Sequence, residues 1–135
     1  MPIVKGVAKL VEEARGKVRT ISIEEARAKL ADPNVLFVDI RDVRELERDG
    51  TIPGAYHAPR GMLEFWVDPA SPYFKTVFGS GKEFVFYCAS AWRSALATAA
   101  VQEMGLDPVC HIDGGFKAWT EAGGAVVPRE THGKA

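Results

Sequence analysis

The sequence lacks most of the features that mark specialised surfaces, and each absence removes a class of function. No run approaches the roughly 20 apolar residues that cross a bilayer, and Met1-Pro2-Ile3-Val4-Lys5 carries no apolar stretch behind a basic start of the kind that exports a protein. Neither sign of charge predominates: 17 Lys and Arg stand against 18 Asp and Glu, with no long block of either. The electrostatic footprint of a nucleic-acid or membrane binder is therefore missing, and any recognition of an anion must be local. The two cysteines, Cys88 and Cys110, show no Cys-x-x-Cys spacing, and a 135-residue chain needs no disulfide to supplement its core. Both are read as reduced thiols, with the cytoplasm as the expected compartment. His57, His111 and His132 have no metal-ligand spacing with one another or with either Cys, so no metal and no cofactor are expected.

What is present is a chain that is 47% hydrophobic, enough for one core and one domain burying roughly two-thirds of its unfolded-chain surface. Val7, Leu10, Val11 and Ala14 fall at helical spacing among Lys and Glu, so residues 1–17 read as an amphipathic helical extension lying on the domain or on a partner. Val18 to Ile21 is β-prone, and Ser22-Ile23-Glu24-Glu25 is a capping-box pattern opening a helix to about Ala31. Val35-Leu36-Phe37-Val38 is a continuous apolar run, as expected of a strand covered on both faces, and it delivers Asp39 at its end. A second capping box, Asp42-Val43-Arg44-Glu45, opens a short helix closing at Asp49-Gly50, and a brief strand follows at Ala55 to Ala58.

Residues 59–82 are irregular, with Pro and Gly punctuating two aromatic pieces, Met62 to Trp66 and Tyr73-Phe74. Phe84-Val85-Phe86-Tyr87 is the strongest strand and runs directly into Cys88; Trp92 to Met104 is helical and Ala-rich. Pro108 to Ile112 reads as a last strand, Asp113-Gly114-Gly115 as a turn with Asp113 as helix cap, and Phe116 to Ala122 as a helix. Residues 18–128 are the expected domain and 129–135 an expected flexible tail. Alternation of strands and helices argues for an α/β fold: a mostly parallel central sheet of about five strands with helices on both faces, binding ligands beyond the strands' C-terminal ends. Asp39, the loop after Ala58 and Cys88 all belong at that end.

The segment Cys88-Ala89-Ser90-Ala91-Trp92-Arg93-Ser94 places a thiol between a buried strand and a helix N-terminus, where unpaired N–H groups and the positive end of the dipole favour an anion. A depressed thiol pKa is expected there, with Arg93 adding fixed charge where its side chain turns toward the loop. Such a thiolate attacks a sulfane sulfur, holds it as a persulfide and yields the outer sulfur to a thiol or cyanide acceptor.

Three separated pieces resemble the rhodanese-like domains, including single-domain thiosulfate sulfurtransferases. Val38-Asp39-Ile40-Arg41 followed by Glu45 and Ile52-Pro53-Gly54-Ala55 is similar to the family's N-terminal signature. Cys-x-x-x-x-Arg-Ser at 88–94 is similar to its active-site loop, and Asp113-Gly114-Gly115-Phe116-Lys117-Ala118-Trp119 to its C-terminal signature. The resemblance, over about residues 20 to 127, implies a single rhodanese-like domain with Cys88 as sulfur-accepting nucleophile. It implies residues 89–93 as a backbone cradle, Arg93 as the residue that steadies the loop, and Asp39 and Arg41 as structural residues near the site. Many members carry Gly where this chain has Ala91, and a positive φ there strains Ala by about a kilocalorie per mole or more. The implied partners are a small sulfur donor with a thiol or cyanide acceptor, or a protein thiol.

Two other readings stay beside this one: a persulfide carrier or redox-sensing module that docks on a protein, and a thiol phosphatase or arsenate reductase. Folds of the latter kind carry one more residue between Cys and Arg than the four here. Arg60 and Trp66 follow a strand that ends on the active face and are candidates for binding donor or acceptor. Trp92 is a candidate for the substrate rim. Cys110, inside a strand pattern, reads as inert core.

Overall fold

The computed structural model describes residues 2–129; His132 and residues 130–135 of the expected tail lie outside the described residues. Five strands form one sheet: β1 (Thr20–Ile21), β2 (Val35–Asp39), β3 (Tyr56–His57), β4 (Glu83–Tyr87) and β5 (Val109–Ile112). Their order is β1-β5-β4-β2-β3 and every pairing is parallel. Parallel neighbours need crossovers, and four helices lie in them: α2 (Ile23–Lys29), α3 (Val43–Asp49), α4 (Leu63–Val67) and α5 (Trp92–Met104), while α1 (Val7–Arg15) precedes the first strand and α6 (Gly115–Glu121) follows the last.

The central strands are mostly apolar, with Asp39 and Glu83 at strand ends and His111 within β5, because both faces are covered. On β4, Phe84 and Phe86 face one layer, with Val38, Leu63, Val67, Ala97 and Val101. Val85 and Tyr87 face the other, with Ile21, Phe37, Ile112, Phe116 and Trp119. Successive residues thus serve opposite cores, and the alternation of side chains across the strand separates them.

Helix α1 settles its partner within the chain: Val11 and Ala14 are buried against Ala95 of α5, with Leu96 and Ala99 beside them. Its capture explains the composition of α5. Squeezed between the sheet and α1, that helix buries Ala95, Ala97, Thr98 and Val101 on more than one side, so small residues are required and no polar stripe is left.

Both sequence caps form in part or in full. The Ser22 hydroxyl accepts the Glu25 N–H at 3.1 Å, and Asp42 with Glu45 closes a reciprocal capping box. The expected Asp113 cap does not form. The N-cap of α6 is Gly114, without a side-chain bond, and Asp113 instead lies 3.4 Å from Arg15. The reason is that the unpaired N–H groups of α6 already have acceptors: Phe116 donates to the Cys88 carbonyl at 2.8 Å and Lys117 to that of Ala89 at 3.0 Å. Only glycine permits this approach, since a Cβ on Gly115, at φ +65°, would lie 2.6 Å from the Cys88 oxygen. The Gly-Gly pair thus welds α6 to the loop that follows β4.

Candidate active site

Strand β4 delivers Cys88 past the C-terminal edge of the sheet, and the chain closes around its sulfur before α5 begins. The Sγ atom accepts the backbone N–H of Ala91 at 3.2 Å and that of Ser94 at 3.3 Å. Cys88 itself is fully buried. Two aligned donors at a helix N-terminus are a ready site for a thiolate or a sulfur-borne negative charge.

Closing the loop in four residues forces Ala91 into the left-handed region, at φ 80° and ψ −1°. Among the described residues it is the only non-glycine there. The conformation costs an alanine about 1–2 kcal/mol, part of which glycine would return to the unfolded state as entropy. Ala91→Gly is therefore expected to raise stability by up to about 1 kcal/mol, read as a melting midpoint higher by a few degrees. A lower midpoint would mean that the buried Ala91 methyl, 2% exposed, contributes more by packing than its backbone costs.

Arg93 does not lie free over the loop. Its guanidinium grips both carboxylate oxygens of Glu45, at 2.8 and 3.0 Å, and Glu45 simultaneously accepts the Asp42 N–H from its capping box. The bond to Arg93 holds the Glu45 carboxyl below the usual range despite burial. Glu45 raises Arg93 in return, and the nearby Cys88 sulfur adds to that rise. The α3 cap is thereby a strut for the first turn of α5.

Asp39 and Arg41 form a second support under the loop. Both side chains are buried, with Arg41 Nε and Nη2 donating to the two Asp39 oxygens at 2.9 and 2.8 Å and Nη2 also reaching the Gly50 carbonyl at 2.7 Å. The guanidinium lies 4.1 Å from the centre of the Phe116 ring. Burial would lower the Arg41 pKa, but the bond and charge of Asp39 outweigh it and the net movement is upward. Thr51 and Tyr87 complete the network: the Thr51 hydroxyl lies 3.1 Å from Asp39 and 2.8 Å from the Tyr87 hydroxyl, which accepts the Ile52 N–H. Burial drives the Tyr87 phenol upward, so it stays neutral.

Other sequence candidates separate. Arg60 sits at the active end, its N–H bonded to the Ile40 carbonyl, but its guanidinium pairs with Glu64 at 2.8 Å. Trp66 packs edge-on to Tyr56 and beneath Lys75, as part of a hydrophobic layer. Neither is drawn to Cys88 by a polar contact. Trp92 is 49% exposed and follows the loop directly, whereas Ala89 and Ser90 lie ahead of it in the same turn. Cys110 is fully buried, its thiol pushed up to about 12 by burial first and then by Glu83. His57 engages the Arg41 carbonyl at 2.7 Å.

Two hollows lie near this end. One of about 340 Å³ adjoins the loop, lined by Arg41, Glu45, Arg48, Ala89, Phe116 and Lys117. A larger one, about 690 Å³, runs between Pro53, His57 and the segment Val127–Arg129; Cys88 does not line it, so size alone does not locate the chemistry.

The arrangement has clear relatives. Residues 22–122 match the rhodanese-like domain family. A "Sulfurtransferase" of Allochromatium vinosum is 32% identical over 84% of this chain and 98% of its own length. The human "Thiosulfate:glutathione sulfurtransferase" is 29% identical over 76% of this chain and 93% of its own. A Rhodopseudomonas palustris structure, described as a protein of unknown function and possible tyrosine phosphatase, superposes with a TM-score of 0.91 at 50% identity, covering 94% of this chain and 98% of that one. Among the described residues no helix is long and apolar enough to cross a membrane.

Proposed function

The chain belongs to the rhodanese-like domain family, whose curated relatives are sulfurtransferases, and on that premise we propose that it moves sulfane sulfur through a Cys88 persulfide. The observation that carries the reading is the Cys88 sulfur held by the Ala91 and Ser94 N–H groups at the mouth of α5. The Cys88 thiolate attacks the outer sulfur of thiosulfate; a new S–S bond forms, the old one breaks, and sulfite leaves with the electron pair. Negative charge then rests on the terminal sulfur, still within reach of backbone donors. An acceptor thiolate or cyanide attacks that sulfur and departs as a persulfide or thiocyanate, and the Cys88 thiolate returns. Asp39 and Arg41 hold the loop without touching the reacting atoms, and Arg93, paired with Glu45, lies beside the Cys88 sulfur. A donor persulfide follows the same steps with a thiolate as the leaving group.

The name given to the Rhodopseudomonas palustris relative raises phosphoryl transfer as the rival. Two features weigh against it here. With Cys88 fully buried, the incoming group must enter past Ala89–Trp92, and one sulfur atom intrudes far less than a tetrahedral phosphoryl group. The Arg93 fork is already occupied by Glu45, so its charge is compensated rather than offered to an oxyanion.

Intact mass spectrometry after brief exposure to thiosulfate, and separately to glutathione persulfide, tests the proposal. A gain of about 32 Da, erased by cyanide, is the expected persulfide intermediate. Protein that gains no sulfur from either donor but releases phosphate from an aryl phosphate would replace the reading with the rival. Stoichiometric loading from a protein persulfide alone would make the chain a carrier.

A further inference from the structure

His111 takes no part in the chemistry above, yet it is a fully buried histidine on β5, paired with Thr20 of β1 and Phe86 of β4. Both ring nitrogens are engaged. Nδ1 lies 2.9 Å from the Ser94 hydroxyl and Nε2 2.9 Å from the Thr20 hydroxyl. Ser94, also fully buried, is the residue whose backbone N–H donates to the Cys88 sulfur. A continuous polar chain thus runs from β1 through the imidazole to the first turn of α5 and ends at the nucleophile.

A neutral imidazole offers one donor and one acceptor, and a hydroxyl serves as either, so both tautomers satisfy every member. Burial pushes the ring down to about 4, with Arg15 lowering it further and Asp113 opposing. The ring is therefore an uncharged bridge at neutral pH. An apolar side chain would fill the same place between sheet and helix, but it could not tether Ser94 to β5 by a hydrogen bond, the tie that holds the first turn of α5, and with it the Ser94 N–H, in place against the sulfur.

We propose that His111 is a positioning residue of the Cys88 site, anchoring Ser94 through Nδ1 so that its N–H stays aimed at the sulfur. The role rests on the sulfur-transfer reading only for its effect on turnover; its effect on the thiolate is independent of that reading. The two nitrogens can be tested apart. Asn places its amide where Nδ1 stands and keeps the Ser94 contact, whereas Gln places its amide where Nε2 stands and keeps only the Thr20 contact.

The measurement is the ultraviolet absorbance of the Cys88 thiolate against pH, taken as the difference from the same protein carrying Cys88→Ser. Arg93, the charged group beside the sulfur, and its partner Glu45 are unchanged throughout. In His111→Gln and in Ser94→Ala the curve is expected to move to higher pH, leaving about tenfold less thiolate at neutral pH, while His111→Asn stays within about threefold of the parent. Melting midpoints of all three confirm folded protein, and Ser94→Ala carries the test if a histidine variant does not fold. Equal displacement in Asn and Gln variants, or none in Gln and Ser94→Ala, overturns the proposal. Sulfur loading of the unmutated protein is scored separately, so its failure would remove the sulfurtransferase reading and leave the thiolate result standing.

Discussion

Cys88→Ser is expected to fold and to take up no sulfur from any donor, with transfer falling at least about a thousandfold to the uncatalysed background. The size of the effect follows from the covalent step. An alcohol at this position has no accessible anion at neutral pH and no sulfur–sulfur bond to form. The fold should tolerate the change, because a serine hydroxyl can accept the same Ala91 and Ser94 N–H groups that hold the sulfur. Stability loss of at most about 1 kcal/mol is expected, from exchanging a soft apolar sulfur for an oxygen in the layer of Phe86 and Ala97. Cys110→Ala supplies the control, with turnover within twofold of the parent, since that thiol is buried and held protonated on the far side of β4 from Cys88. Undiminished transfer by folded Cys88→Ser, checked by initial rates and by intact mass, would remove Cys88 from the mechanism.

The candidate site around Cys88 was legible from the chain because its signals are local. An apolar strand, a thiol at its end and a run of small residues before a helix occupy one window, residues 84–104. The sheet was legible for a related reason: strands buried on both faces read as near-continuous apolar runs, and Val35 to Val38 and Phe84 to Tyr87 announce it. What escaped is long-range. Arg93 and Glu45 are 48 residues apart, and no periodicity links them; only the capping box showed that Glu45 would be held in place. The Ser94–His111 contact was hidden more thoroughly, because a histidine inside an apolar strand carries no mark of what its nitrogens touch. Asp113 was misassigned for an instructive reason. Asp before a helix is ordinarily its cap, but here the cap is the loop backbone itself, and the Gly-Gly pair beside it was the better sign. The alanine-rich α5 held a clue to α1, since a helix without a polar stripe implies cover on a second side.

The largest stability effect is expected from breaking the Asp39–Arg41 pair. Surface ion pairs in this chain, such as Arg48–Asp49 or Lys5–Glu13, are solvated and contribute little; Arg41 and Asp39 are 1% and 0% exposed. Arg41→Met removes one partner and strands a carboxylate out of water, a change that costs about 3–5 kcal/mol against a total of about 5–15 kcal/mol for a domain of ordinary stability. Arg41→Lys keeps the charge but not the fork. A single ammonium cannot bond both Asp39 oxygens and the Gly50 carbonyl in the same plane while lying over Phe116, so an intermediate loss of about 1–3 kcal/mol is expected. Urea unfolding at neutral pH separates the two. A loss below about 1 kcal/mol for Arg41→Met at neutral pH would show that water or rearrangement satisfies Asp39 without its partner. Where the full loss appears, sulfur loading per folded molecule should fall as well, because Arg41 ties the end of β2 to Gly50 and to Phe116, and Phe116 in turn holds the Cys88 carbonyl. The buried pair thus supports the geometry of the sulfur cradle from beneath, one residue removed from the atoms that react.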